Sequence, residues 1–287
     1  MLAAIGVQAP FTMIDSAGTA LAVSRRGRGQ PVLCVHATGH GGRDFEGFAE
    51  RVVPQGFEVI AVDWPGQGSS PADARAASAD RYADLLEALV PQLFPDGRRP
   101  ILLGCSIGGA AAIVFAARRP DLVQALVLAD PGGLAPLDRV ARLFVGAMVR
   151  FFKAGTRGRW WFPRAFAAYY RTVLPAPAAA GQRARIVAAG PQTAPVLAQA
   201  WQSFGEAGAD IRGLLPRLPM PVFFAWARQD RIVAWGRSRA AVESVKHAQV
   251  QHFTGGHAAF LEDPDAFAGA FVAFARGTEA AAVQPAA

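Results

Sequence analysis

The sequence predicts an α/β fold in which a mostly parallel central sheet is flanked by helices and a helical lid is inserted into the chain. Three observations carry this prediction. Short apolar runs alternate with stretches whose apolar residues recur every three or four positions, and strands joined through helices in this way must run parallel. One such strand, Ile101 to Leu103, passes into an Ala-rich helix through Gly104-Cys105-Ser106-Ile107-Gly108, a strand-to-helix reversal with small residues on both sides of a serine. From 133 to 216 the alternation stops, and the chain becomes aromatic, basic and interrupted by Pro163, Pro175, Pro177, Pro191 and Pro195, which reads as several short helices. The expected division is a core of 1–132 and 217–277, a lid of 133–216 and a disordered tail of 278–287.

Taken in order, Phe11 to Asp15 and Ala20 to Ser24 form a hairpin about Ser16-Ala17-Gly18-Thr19. Val32 to Val35 is a short buried strand that runs into the Gly-rich loop His36 to Gly42. Phe45, Phe48, Ala49, Val52 and Val53 then share one helical face. Phe57 to Val62 is the next strand, ending at Asp63. Tyr82, Leu85, Leu86, Leu89, Val90 and Leu93 keep helical spacing. The strand and helix around Ser106 follow, then the strand Ala125 to Ala129, ending at Asp130-Pro131-Gly132-Gly133. Beyond the lid, Pro221 to Ala227 is a strand and a helix runs through Val242 and Val245. Val250 to Phe253 is the last strand, and Phe267, Phe271 and Phe274 mark the last helix.

Composition narrows the function. With 52% hydrophobic residues in 287, the chain can fill a large core. No apolar run reaches membrane-spanning length, and Met1 to Pro10 lacks the basic start and apolar stretch of a secretion signal, so a cytoplasmic location is expected. Two cysteines, Cys34 and Cys105, cannot build a disulfide framework and are expected to be reduced and buried. The net charge of +7 comes from a chain in which 27 of 29 basic residues are Arg, and no basic run is interleaved with stacking aromatics, so nucleic acid is not the expected partner. The local exception is Asp138 to Arg171, with eight basic residues and one acid. Metal-ligand spacings and phosphate-cradling loops are absent, and no cofactor is expected.

Ser106 is the candidate nucleophile. The turn lifts its hydroxyl above the sheet edge and aims the amino end of the following helix at any negative charge forming there. A base must reach that hydroxyl from the same edge. His36 and His40 precede the serine, His247 ends a helix and His252 lies in a strand. His257 alone follows the last strand in a flexible Gly255-Gly256 loop, and is the expected base. Among the acids, Asp230 stands just past a strand at the same edge, with Asp130, also at a strand end, in reserve.

The order Ser106, Asp230, His257, with the loop His36 to Gly39, Asp63-x-Pro-Gly-x-Gly-x-Ser70 and Gly256-His257-x-x-x-Leu-Glu-Asp-Pro264, resembles the α/β-hydrolase superfamily from about Phe11 to Arg276. The resemblance implies the α/β-hydrolase fold, with Ser106 as nucleophile, His257 as base and then acid, and Asp230 fixing the imidazole. It also implies an oxyanion hole from the backbone N–H groups of Thr38 and Ile107. One such donor is worth about 3 kcal/mol of barrier. Relatives commonly have Gly after the loop histidine, where this chain has Ala37. Epoxide hydrolases and haloalkane dehalogenases of this fold attack with a carboxylate, which Ser106 argues against. The expected activity is hydrolysis of a small to medium apolar carboxylic ester through an acyl-serine. Ala129-Asp130-Pro131-Gly132-Gly133-Leu134 resembles the matching stretch of carbon-carbon bond hydrolases of ring-fission products, the second reading. Cofactor-free perhydrolases and non-catalytic ligand-binding proteins of the same fold are further alternatives. The lid aromatics include Phe144, Phe151, Phe152, Trp160, Trp161, Phe162, Phe166, Tyr169, Tyr170, Trp201 and Phe204, and most are expected to pack the lid onto the core. Yet a lid must line the pocket it covers, so an apolar pocket is expected, and the lid arginines face outward unless one turns in to hold a substrate carboxylate.

Overall fold

In the computed structural model residues 10–283 are described, with side chains through residue 278. Eight strands form one sheet: β1 (Phe11–Ser16), β2 (Thr19–Gly27), β3 (Gln30–Val35), β4 (Phe57–Val62), β5 (Ile101–Cys105), β6 (Ala125–Ala129), β7 (Val222–Ala227) and β8 (Gln249–Phe253). Their spatial order is β1-β2-β4-β3-β5-β6-β7-β8, with β2 antiparallel to both its neighbours and the remaining pairs parallel. After β3 the chain lays β4 on one side and then returns to place β5 on the other. This reversal opens a crevice at the carboxyl ends of β3 and β5, where Val35 pairs with Gly104, and α/β sheets bind ligands at such a point.

The helices are α1 (Glu46–Val52), α2 (Ala79–Leu93), α3 (Ile107–Arg118), α4 (Arg139–Thr156), α5 (Phe162–Val173), α6 (Ala180–Ser203), α7 (Trp235–Val242), α8 (Ala259–Glu262) and α9 (Pro264–Val283). Alternation along each strand splits the core between the two faces. Ile101, Leu103 and Cys105 of β5 pack with Phe48 of α1 and Phe271 of α9, whereas Leu102 packs with Leu86 of α2 and Ile113 of α3. Phe271 meets Phe48 and Phe57 edge-on at 4.9 and 5.1 Å between ring centres. Truncating such an aromatic to Ala costs about 3–5 kcal/mol. Among the described residues no helix is long and apolar enough to cross a membrane.

Between β6 and β7 the chain holds α4, α5 and α6 and short 3-10 turns, with no strand. Its Phe152, Phe162 and Phe166 share one apolar core with Phe45, from the 3-10 turn before α1, and Phe260 of α8. The prolines act differently from the sequence expectation. Pro163 sits in the first turn of α5, where a missing N–H costs nothing, but Pro191 and Pro195 lie inside α6, which continues unbroken for 24 residues. That helix packs closely on its neighbour beside them: Gly190 lies so near Phe166 that a Cβ there would stand 2.4 Å from the ring. Two other boundaries differ. Helix α7 stops at Val242, short of Val245, and α9 stays helical through Val283, so the tail expected from 278 is ordered backbone to that point; 284–287 lie outside the described residues.

Candidate active site

Ser106 occupies the turn between β5 and α3 at φ 53° and ψ −116°, a left-handed φ that a side-chain-bearing residue adopts only when its surroundings impose it. The surroundings are backbone. A Cβ on Gly104 would stand 2.6 Å from the Gly108 carbonyl, and one on Gly108 would stand 2.5 Å from the Val35 carbonyl. Gly109, not singled out in the sequence, is equally constrained, since a Cβ there would meet Pro131 at 2.9 Å. The Ser106 N–H donates to the Ala129 carbonyl at 3.1 Å, and the Ser106 carbonyl accepts from Gly132 at 3.0 Å. Strand β6 and its following loop thus pin the serine from both ends.

His257 lies in the loop after β8, and its Nδ1–H donates to Asp230 Oδ2 at 2.8 Å. Asp230 Oδ1 accepts the backbone N–H groups of Ile232 at 2.7 Å and Val233 at 2.9 Å, which fix the carboxylate plane. Burial works against a charged His257. The charge and hydrogen bond of Asp230, together with the charge of Glu262, outweigh it and hold the imidazole above its ordinary pKa of 6.5. Glu262 was not legible as a functional residue beyond its place in the His257-x-x-x-Leu-Glu262 motif. In the structure its Oε2 accepts the backbone N–H groups of Gly256 at 2.6 Å and His257 at 3.0 Å, while Oε1 accepts Ala176 of the insertion at 3.1 Å. One buried carboxylate therefore shapes the histidine loop and ties it to the insertion.

Asp130, the reserve acid, sits beside this pair at a left-handed φ of 45°, fully buried. Its Oδ1 accepts Ala227 N–H at 2.8 Å, and its buried Oδ2 has no partner. Ligand atoms of Asp130, Asp230 and His257 lie within 4.8 Å of one another, a spacing a cation could span. The donors argue for a proton instead. Asp230 is fully engaged by His257 and two backbone N–H groups, and burial first, then the Asp230 charge, drive Asp130 well above the ordinary carboxyl range. His257 therefore pairs with Asp230, and Asp130 lies behind that pair.

The loop after β3 is braced from several sides. His36 Nε2 accepts the Trp64 backbone N–H at 2.9 Å, which puts the ring proton on Nδ1, where it faces the Ala37 carbonyl at 2.7 Å. Burial lowers the pKa of this neutral imidazole further. The Asp63 to Ser70 motif serves the same loop: Asp63 Oδ1 accepts Gly42 N–H at 2.6 Å, and a Cβ on Gly68 would stand 2.2 Å from the Asp63 carboxyl. Tyr170 of α5 donates to the Thr38 carbonyl at 3.5 Å. His40 Nδ1 pairs with buried Asp44, which also accepts from Gln182 of α6. Ile107 opens α3, so helix geometry gives its N–H no partner.

These parts converge on one cavity of about 340 Å³. Ser106, His257, Thr38 and His40 lie on its wall with Val140 and Phe144 of α4, Tyr169 of α5 and Trp201 of α6. Asp230 and Asp130 stand behind His257 rather than on the wall. The cavity offers a strained hydroxyl, an imidazole with one nitrogen tied to a carboxylate, and an apolar chamber.

A family model described as alpha/beta hydrolase fold matches residues 30–264. In overall structure the chain is similar to an esterase from Thermogutta terrifontis solved with malate bound, at 25% identity and a TM-score of 0.78 over 94% of this chain and 99% of that one. An esterase from Exiguobacterium antarcticum shares the fold at 20% identity and a TM-score of 0.80, over 92% of this chain and 99% of the other. Among curated proteins, the 2-hydroxy-6-oxononadienedioate/2-hydroxy-6-oxononatrienedioate hydrolase of Escherichia coli is 32% identical over 129 residues. That match spans 42% of this chain and 44% of the relative, less than half the length of either.

Proposed function

This chain belongs to the alpha/beta hydrolase fold family, and from that premise we propose that it is a serine hydrolase cleaving a small to medium apolar carboxylic ester through an acyl-enzyme on Ser106. The observation that carries the reading is the Asp230–His257 pair at 2.8 Å, whose histidine lies on the wall of the cavity that Ser106 also lines. His257 Nδ1–H is committed to Asp230, so Nε2 is the nitrogen that takes the Ser106 proton as Oγ attacks the substrate carbonyl. The oxyanion forms against the N–H groups of Ile107 and Thr38. His257 returns its proton to the leaving alcohol, then activates water by the same route, and the acyl-serine is hydrolysed to carboxylate and free serine. The insertion serves as the lid, its Val140, Phe144 and Trp201 supplying the apolar walls that receive the acyl or alcohol chain.

The esterase neighbour at 25% identity supports this reading, and the curated relative supports a second one, hydrolysis of a carbon-carbon bond in a vinylogous diketone acid. Release of nitrophenol from nitrophenyl esters of graded chain length, by wild type and Ser106→Ala side by side, tests the first. Loss of activity in the variant is expected, with a preference set by the chamber. Inactivity on every ester combined with turnover of a diketone acid would replace the first reading with the second.

A further inference from the structure

The formal net charge of the chain is +7, and the segment from Asp138 to Arg171 carries eight basic residues against one acid, so the rest of the sequence is balanced. The entire charge excess therefore sits on α4, α5 and the turn between them. All eight cations are exposed. Elsewhere among the described residues twelve arginines pair with carboxylates, among them Arg118, which reaches Asp80, Asp84 and Glu87, and Arg212, which reaches Asp210. In this segment the one acid, Asp138, is taken by Arg237 from outside it, and Lys153 reaches only Gln202. Among the described residues none of the eight meets a carboxylate.

The same segment carries large apolar side chains in water. Trp160 is 83% exposed, Leu143 74% and Val140 65%, with Phe144 and Trp161 also exposed. Helical periodicity places Leu143 with the charges. Val145, Met148 and Phe152 mark the buried side of α4. Arg139, Leu143, Arg150 and Arg157 recur at the four- and seven-residue spacings of a single stripe on the opposite side. The turn beyond adds Arg159 and Trp160, and α5 adds Arg164. Neighbouring α4 residues Val140, Ala141 and Phe144 line the cavity.

We propose that this outer face of α4 and the turn into α5 docks on an anionic lipid surface. Unpaired arginines around exposed Trp and Leu match an interface whose headgroups are negative and whose next layer is apolar. A second copy would bring the same positive excess against itself. A nucleic-acid backbone would satisfy the charges but give Leu143 and Trp160 nothing to enter. Docked in this way, the protein holds the α4 wall of the cavity against the source of apolar substrate. The inference does not rest on the chemistry proposed for Ser106, and its test is read as binding, so the two fail separately.

The test uses full-length Ser106→Ala with sedimented vesicles of phosphatidylcholine alone or mixed with phosphatidylglycerol. Binding to the anionic vesicles only is expected, weakening as salt is raised, with tryptophan emission quenched by brominated lipid and that quenching reduced in Trp160→Phe. At about 1 kcal/mol per basic residue near an anionic surface, Arg150→Gln, Lys153→Gln and Arg157→Gln together should lower the partition coefficient on the order of 100-fold. Leu143→Ala with Trp160→Ala should weaken binding while leaving its salt dependence unchanged. No binding to anionic vesicles, or binding indifferent to both sets of substitutions, overturns the proposal. So does tighter binding to duplex DNA that survives loss of Leu143 and Trp160, or a dimer that forms through this face in light scattering.

Discussion

Replacing Asp130 and Asp230 each by Asn separates two buried carboxyls that stand at neighbouring strand ends. Asp230 receives three donors, His257 Nδ1 and two backbone N–H groups, whereas Asp130 receives one. Burial first, then the charge of Asp230, raise Asp130 well above the ordinary carboxyl range, so Asp130 is the one that takes up a proton. Folding near neutrality then requires Asp130 to take up a proton that the unfolded chain lacks. The sign follows from a folded pKa raised above the ordinary 3.8: the cost is absent below about pH 4 and grows as pH rises from there toward the raised value. At about 1.4 kcal/mol per pH unit its ceiling at pH 7 is roughly 4 kcal/mol. Asn keeps an acceptor for Ala227 N–H and titrates nothing. Urea unfolding should therefore show Asp130→Asn more stable than wild type at pH 7 by up to about 4 kcal/mol, with the gain vanishing near pH 4. Ester hydrolysis should change little. Asp230→Asn removes the charge that supports the imidazolium and should lower kcat on the order of 10⁴-fold. An Asp130→Asn protein that is destabilised at pH 7, gains equally at every pH, or loses activity as deeply as Asp230→Asn would refute this division of roles.

Three further outcomes follow from the same geometry. Gly104→Ala and Gly108→Ala drive a methyl into backbone carbonyls at 2.6 and 2.5 Å, and each should cost more than about 3 kcal/mol or abolish soluble expression, read by thermal unfolding. Because His257 must be neutral to accept the serine proton and its pKa is raised, the acid limb of kcat/KM should fall above pH 6.5. Glu262→Gln should move that limb to lower pH, since the Glu262 charge raises His257, and should lower kcat by about 10- to 100-fold through a looser histidine loop, measured in one pH series.

The sequence disclosed those parts of the site that local chemistry determines. Gly104 and Gly108 announce the turn because only a missing side chain lets β5 reverse into α3, and His257 stands out because two glycines precede it in a loop at the correct edge. Four buried strands were legible as uninterrupted apolar runs. What long-range packing decides was not. Pro191 and Pro195 look like helix ends, yet α6 continues through them, packed closely on Phe166 at Gly190. Glu262 is visible in the sequence only as a member of the motif that follows His257, because its partners Gly256 and Ala176 are brought to it by folding. Asp230 and Asp130 both read as strand-end acids, with Asp230 preferred and Asp130 in reserve, while the number of donors each receives is set only by packing in three dimensions.

The most direct test of the central claim is mass-spectrometric mapping of a fluorophosphonate probe on wild type, Ser106→Ala and His257→Ala. Phosphonylation at Ser106 in wild type, absent in Ser106→Ala and slowed by orders of magnitude in His257→Ala, is the result expected of a serine activated by the Asp230–His257 pair. Folded wild-type protein that stays unlabelled, or a Ser106→Ala protein that labels elsewhere at the wild-type rate, would contradict it.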